Sequence, residues 1–458
     1  MSVPEGGRRR RLYLECSETY RVDRHTGIQR VTRNVIRESI AQSAARGVDV
    51  IPVFHAGDGF REAKFLPDGS LGALPPQQPE RVASLRRAYR SVLRAATQVV
   101  PHRGARDWLI APGNHPGLTR TIRALLGATA PGAGAVDTSV VAGHREVNFA
   151  TGDILFCVDL YVNAELGVEL RALHKRGVTI AALVYDLIPI HRPQMWHPEF
   201  IVGFRAWLEM MIERADILVS ISATVRDELA AYARRERPDW PLANQRSEYF
   251  HLGHELDRRV AQPQVRPELA AVFADPGGPV FLNVGWLDPR KNQPFLIDAL
   301  TPLWRRGIES RLLLVGKKGR GTETVLRHLR REPLAATRVL HFDDLSDDEL
   351  EFCYAHADAL VYPSLEEGFG LPLIEALSRG LPVFASDIPV FHELAEGFVV
   401  FFRLDSPEEL TGQLERFCRT REYPVTRRTD EFRWPSWKES VASLLDILLE
   451  PVPHTAER

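Results

Sequence analysis

Two glutamates separated by seven residues carry the strongest chemical signal in this chain of 458 residues. They are Glu367 and Glu375 in the stretch Tyr362-Pro-Ser-Leu-Glu-Glu-Gly-Phe-Gly-Leu-Pro-Leu-Ile-Glu375. An ionised carboxylate only accepts hydrogen bonds, so the pair suits two sets of hydroxyls, such as those of a sugar and a ribose. Phe369, Gly370 and Leu371 between them open a predicted helix. Backbone N–H groups and a positive dipole end are free at such a helix start, and glycine lets a ligand approach closely. Together these features ask for a nucleotide sugar. Glu366 adjoins Glu367, but only Glu367 gives the seven-residue spacing.

A second constellation is the basic pair Arg290 and Lys291, one strand into a second α/β segment. A departing diphosphate gains negative charge, so cations placed on it stabilise the transition state more than the ground state. Arginine offers a planar fork and lysine a compact charge, both suited to phosphate oxygens. Asp186 and His191, in Tyr185-Asp-Leu-Ile-Pro-Ile-His191, emerge at the carboxyl end of a long apolar strand, where open α/β sheets bind ligands. Asp186 could orient an acceptor hydroxyl or cap its own loop, and His191 or His197 could assist. Gly27 stands at the mouth of a predicted helix, where it could admit donor phosphates or simply turn the chain. Gly316-Lys-Lys-Gly-Arg-Gly321 lacks the Walker spacing and reads as a loop after a strand, with Lys317 near the nucleotide and Asp343 and Asp344 following the next strand.

These residues need a scaffold, and the chain offers short apolar runs alternating with helical patterns, the mark of α/β architecture. Strands are predicted at 11–15, 48–54, 153–158, 178–186, 217–221 and 249–252 in the first half. In the second half they are predicted at 280–284, 311–315, 339–342, 359–362, 382–385 and 398–402. Helices are expected at 28–40, from about Pro294, at 371–377 with Pro372 near its start, and at 440–449. The Pro- and Arg-containing segment 259–279 reads as the linker between two domains. Within a variable insert at 56–150, Leu85, Tyr89, Val92 and Leu93 repeat at helical spacing beside Arg86, Arg87, Arg90 and Arg94. Such a helix would either pack in its lobe with a solvated basic face or touch an acidic lipid surface.

Length calls for more than one domain. A hydrophobic content of 44% and a net charge of −2 fit an ordinary globular protein and give no reason to expect nucleic acid. No apolar stretch approaches the ~20 residues that span a bilayer, and the basic start of the chain has no apolar signal core behind it. Four scattered cysteines, Cys16, Cys157, Cys353 and Cys418, suggest a reduced, cytoplasmic protein without structural zinc.

The carboxylate segment resembles the Glu-x7-Glu signature of retaining glycosyltransferases of family 4, which have the two-lobed GT-B fold. The resemblance extends to Phe281-Leu-Asn-Val-Gly-Trp-Leu-Asp-Pro-Arg-Lys-Asn-Gln293, to His25-Thr-Gly-Ile-Gln-Arg-Val31 and to the strand at 358–362. It covers roughly residues 10–55 and 150–450. It implies two Rossmann-like lobes with a cleft between them: an acceptor lobe over 1–265, a donor lobe over 266–433 and a final helix in 434–458 that crosses back to the first lobe. It implies that Glu367 faces the hydroxyls of the transferred sugar and that Glu375 holds the ribose. Phe369, Gly370 and Leu371 would turn N–H groups to sugar and phosphates, with Gly27, Arg290, Lys291 and Lys317 around the donor. The implied reaction moves a sugar, with GDP-mannose favoured as donor, to a glycan or lipid-linked oligosaccharide in bacterial surface-polysaccharide synthesis. It proceeds with retention and needs no cofactor or metal, since Arg290 and Lys291 take the place of a divalent ion. The enzyme would work in the cytoplasm, with peripheral membrane contact as an option. The chain departs from the pattern at Trp286, where many relatives have Arg, and at Tyr185, where many have His. A nucleotide-sugar-binding scaffold and a GT-B epimerase or hydrolase are the alternatives.

Overall fold

A computed structural model describes residues 9–21, 26–65, 143–160, 164–236, 238, 245–256, 265–274 and 277–452. The basic helix expected at 85–100 and its four arginines lie outside these residues, as do Arg24 and His25. Among the described residues thirteen strands form two sheets. The first holds β1 (Arg11–Glu15), β2 (Asp49–His55), β3 (Phe60–Glu62), β4 (Ile154–Cys157), β5 (Thr179–Val184), β6 (Ile217–Ser220) and β7 (Arg246–Tyr249) in the order 3-2-1-4-5-6-7. The second holds β8 (Val280–Val284), β9 (Arg311–Val315), β10 (Val339–Phe342), β11 (Ala359–Tyr362), β12 (Val383–Ser386) and β13 (Val400–Phe402) in the order 10-9-8-11-12-13.

All pairings within the second sheet are parallel. Its strands are near-continuous apolar runs because helices cover both faces. Phe281, Leu312, Leu314, Val361 and Phe384 pack with Leu300 and Phe417 of the covering helices Gln293–Arg305 and Pro407–Thr420. Each such side chain contributes roughly 1.5–3 kcal/mol on burial. Both sheets have the doubly wound order in which successive strands reverse direction of travel at one point. That switch lies between β1 and β4 in the first sheet and between β8 and β11 in the second.

By compactness the chain divides into one unit of residues 1–182, 198–217 and 451–458, and another of 183–197 and 218–450. Eleven of the thirteen strands fall on expected apolar runs; β3, three residues long and the antiparallel partner of β2, was not expected, and β7 was expected a few residues later. Two expectations need correction. The strand expected at 249–252 runs instead over Arg246–Tyr249, a polar edge segment in which the apolar signal of Phe250 and Leu252 belongs to buried residues just beyond the strand. The expected linker at 259–279 contains the helix Pro267–Ala274, whose preceding Arg266 pairs with Glu349 at 2.7 Å and Asp344 at 2.8 Å. The last helix, Trp437–Leu449, begins at a Ser436–Glu439 capping box. It returns to the chain around β7: Trp437 N–H donates to Glu255 at 2.8 Å and Ser440 Oγ to the His251 carbonyl at 2.6 Å. A Cβ on Gly253 would run into the Trp437 backbone, so this return requires glycine there.

In the first unit, the switch end of β1 and β4 carries two buried acids, Glu15 and Asp159. Asp159 accepts from Thr19 N–H and, at 3.0 Å, from the Thr19 hydroxyl. Glu15 Oε1 accepts from Ser17 N–H at 2.9 Å, while Oε2 has no partner among the described residues. Burial, reinforced by Asp159, pushes Glu15 up to about 8.

Candidate active site

The second sheet's switch point gathers the chemistry. The segment after β8 turns through Gly285 and reaches a 3-10 turn at Pro289–Lys291, capped by Asp288, whose side chain accepts from Arg290 N–H at 3.2 Å. The segment after β11 runs through Pro363 and Ser364 to Glu367 and then to the helix Leu371–Leu377. The Leu365 N–H donates to the Arg290 carbonyl at 2.8 Å, which joins the two segments.

Between them lies a buried ionic cluster. Lys291 Nζ donates to Glu367 Oε1 at 2.5 Å and to the Tyr362 hydroxyl at 2.5 Å, and Arg290 pairs with Glu367 Oε2. The same Oε1 accepts from Ser364 Oγ at 2.7 Å and from Tyr362 at 3.1 Å. The Glu367 side chain is only 8% exposed. Burial works to raise its pKa, but Arg290 and Lys291 overcome that and hold it at about 2. Burial brings Lys291 down to about 8 against the pull of Glu367. Burial also raises Asp186, to about 6, with nearby Arg290 opposing. At neutral pH the cluster therefore presents two cations and one carboxylate behind a layer of protein, where charge interactions are stronger than in water.

Glu375 is 1% exposed and accepts from the Tyr354 hydroxyl at 2.6 Å. Gly370 adopts φ +109° as the helix opens, and a Cβ there would meet the Phe391 ring at 2.7 Å, so both backbone and space require glycine. Phe369 is buried and lies near His251 and Trp434. Asp186 Oδ1 accepts from Ile188 N–H at 3.1 Å, a loop-capping contact and one of the two roles open to it from sequence. It also stands close enough to Arg290 and Glu367 to feel both charges. Lys317 lies in the loop after β9, as expected for Gly316–Gly321, and its carbonyl accepts from Leu287 N–H at 3.0 Å. Gly316, at φ +143°, has no room for a Cβ against the Gly285 carbonyl, so this loop packs directly on the segment leading to Lys291. Trp286 is 40% exposed there, with its carbonyl held by Gln293 at 2.9 Å. Gly27 belongs to the other compact unit. It is the first residue of helix Gly27–Gln42, behind the capping box of Thr26 and Gln29, and among the described residues nothing comes within 4 Å of the position of a Cβ.

The structure thus brings Arg290, Lys291, Asp186 and Glu367 together. It adds Tyr362 and Ser364, which the sequence reading passed over although they precede Glu367 in the same motif. Tyr354 on Glu375, and Glu393, which accepts from Ala223 and Thr224 N–H at 2.7 Å and from His251, carried no local signal. His191, Glu228 and Glu366 place possible metal-ligand atoms within 4.8 Å of one another, the grouping with such spacing among the described residues. Arg192 already neutralises one of its carboxylates, at 2.8 Å from Glu366. Among the described residues no helix is long and apolar enough to cross a membrane, and all four cysteines are free thiols.

Residues 266–429 match the family model described as "Glycosyl transferases group 1". Over 310 residues the chain is 33% identical to the serotype-specific mannosyltransferase WbdA of Escherichia coli, a match spanning 66% of this chain and 38% of WbdA. The chain therefore spans little more than a third of that relative's length. Among solved structures it resembles trehalose-6-phosphate from E. coli bound with UDP-2-fluoro glucose, at TM-score 0.58 and 14% identity, over 97% of this chain and all of the other. It also resembles sucrose-phosphate synthase from Thermosynechococcus elongatus, at TM-score 0.54 and 16% identity, over 96% of both chains. At such identities these two likenesses speak for the fold alone. With a doubly wound sheet in each half and a carboxylate signature at the second switch point, the chain has the GT-B fold, and its residues 266–429 match the group 1 glycosyl transferases.

Proposed function

We propose that this chain is a retaining glycosyltransferase that transfers a sugar from a nucleotide diphosphate to a hydroxyl of a glycan or lipid-linked oligosaccharide. Bacterial surface-polysaccharide synthesis is the setting, and GDP-mannose the favoured donor. The observation that carries the reading is the buried Arg290–Lys291–Glu367 cluster at the carboxyl ends of β8 and β11, the place where open α/β sheets bind ligands. A diphosphate arriving there meets two preorganised cations, and they stabilise the charge that grows as the glycosidic bond breaks. Glu367 keeps those cations in place and offers lone pairs to sugar hydroxyls, while Glu375 faces the ribose and Phe369, Gly370 and Leu371 supply N–H donors. The departing diphosphate takes the acceptor's proton, so the two-carboxylate arrangement of glycoside hydrolysis is not needed. Protein cations do the work of a divalent ion, and no cofactor takes part. The relatedness to a mannosyltransferase supports mannose as the sugar. On this reading the reaction runs in the cytoplasm, with a lipid-linked acceptor presented at the inner membrane face.

Thermal-shift titration with GDP-, UDP- and dTDP-sugars tests the donor, since a ligand at 100 times its Kd adds about 2.7 kcal/mol of stability. GDP-mannose is expected to raise the midpoint most, and product assays with mannan-type acceptors should then show transfer. No shift with any sugar nucleotide would refute the reading. A shift without turnover over a broad acceptor panel would favour a binding scaffold instead.

A further inference from the structure

The adjacent glutamates of the signature face opposite partners. Glu367 turns to Lys291 and Arg290, whereas Glu366 turns to the segment that follows β5. There His191 Nδ1 lies 2.7 Å from Glu366 Oε1, and Arg192 Nε donates to Oε2 at 2.8 Å. The backbone is held as well. Arg192 Nη2 donates to the Leu365 carbonyl at 3.4 Å and Arg290 Nη1 to the Glu366 carbonyl at 3.1 Å. Ser222 Oγ donates to the Gly368 carbonyl at 2.9 Å, and a Cβ on Gly368 would collide with the Tyr185 carbonyl. The residues on both sides of Glu367 are thus tied to the chain at 185–192 and at Ser222.

Resting on the sugar-transfer reading above, we propose that Glu366, His191 and Arg192 form a protonation-dependent clamp that positions Glu367. Glu366 is a positioning residue, because its carboxylate engages the clamp and not the cluster around Lys291. The groups facing the imidazole are Glu366 and Glu228, which favour its charge, and Arg235, which opposes it. Glu228 in turn faces Glu366 and Asp186, and Arg192 shares Glu366. The hydrogen bond from Glu366, working against burial, raises His191 above the usual imidazole value, while His191 and Arg192 hold Glu366 below the usual carboxylate value despite burial. The sign follows: the charged clamp is engaged below the raised His191 pKa and weakens as pH rises through it. A displacement of Glu367 by about 1 Å is enough to cost on the order of a hundredfold in rate.

The test combines a 13C-histidine NMR titration of the full chain with kinetics of transfer from GDP-mannose. The His191 resonance is identified by its loss in His191→Gln. It is expected to titrate above the ordinary imidazole range in wild type, to move down in Glu366→Gln and to move up in Arg192→Gln, which removes a competing cation. In Glu366→Gln, kcat should fall about ten- to a hundredfold with donor KM nearly unchanged, the sign of lost positioning and not lost binding. A His191 titration that is the same in wild type and both variants overturns the clamp. A shifted His191 with wild-type kcat in Glu366→Gln overturns its role in positioning. If wild type itself transfers no sugar, the sugar-transfer reading falls, and the two opposite titration shifts still decide whether the clamp exists.

Discussion

Replacing Glu367 by glutamine keeps the shape of the side chain but removes the carboxylate that Lys291 and Arg290 share. In wild type, burial brings Lys291 down to about 8, Glu367 pulls it up, and Arg290 pushes it down. Without Glu367 the largest pull toward the charged form is gone and the attraction of Asp288 is weaker, so the Lys291 pKa falls further and much of the amine is neutral at physiological pH. A neutral lysine leaves the departing diphosphate short of one cation. Losing one such charge-stabilising group costs about 2–4 kcal/mol, which is roughly 30- to 1,000-fold in kcat/KM. Breaking the buried pair also lowers stability, by at most about 3–5 kcal/mol, since deprotonation of Lys291 relieves part of the strain. The assay is kcat/KM for sugar transfer from about pH 6 to 9, where a protonation-linked limb is visible. Wild type should lose activity as pH rises through about 8, where Lys291 gives up its proton. Glu367→Gln should show the same limb at lower pH and recover part of its activity as pH falls. An unshifted alkaline limb, or wild-type kcat/KM at neutral pH, would refute the claim that Glu367 sustains the Lys291 charge.

Lys291→Ala and Arg290→Ala should each lose roughly 2–4 kcal/mol in kcat/KM, and parallel measurement of nucleotide diphosphate affinity separates binding from catalysis. Unchanged values for both would make the pair a structural ion cluster. Glu15→Gln tests the other unit: a carboxyl held at about 8 in the folded state, against 4.5 ordinarily, penalises folding increasingly as pH rises from about 4.5 to 8. The variant should therefore be more stable than wild type near pH 8, by up to a few kcal/mol and with a higher melting temperature, the difference vanishing near pH 4. Equal melting curves at pH 8 would show that Glu15 carries no such penalty. Activity should survive exhaustive EDTA treatment if Arg290 and Lys291 neutralise the diphosphate; loss restored by magnesium or manganese would show that an ion is required.

Much of this protein can be read along the chain, because the information is local. Strands such as Val280–Val284 and Ala359–Tyr362 are apolar runs that must be buried on both faces, and the helix Leu371–Leu377 announces itself by Pro372 in its first turn. The spacing of Glu367 and Glu375 and the pair Arg290–Lys291 are likewise visible without a fold. The short strand β3 escaped because three residues cannot show a period, and β7 was misplaced because an edge strand need not be apolar. What the chain alone could not say is which partner each charge finds. Glu366 and Glu367 are the same residue type in the same loop, yet one pairs with residues 75 or so positions upstream and the other with residues some 175 positions away. The first separation is closed by strand order, which brings β8 beside β11, and the second by the side chains of His191 and Arg192, which bond to Glu366 and the Leu365 carbonyl in the loop after β11. Local sequence sets which groups are charged and which backbone they ride on. The pKa values of Lys291, Asp186 and Glu367 depend instead on burial and on neighbours distant in sequence, and those exist only once the sheets have formed.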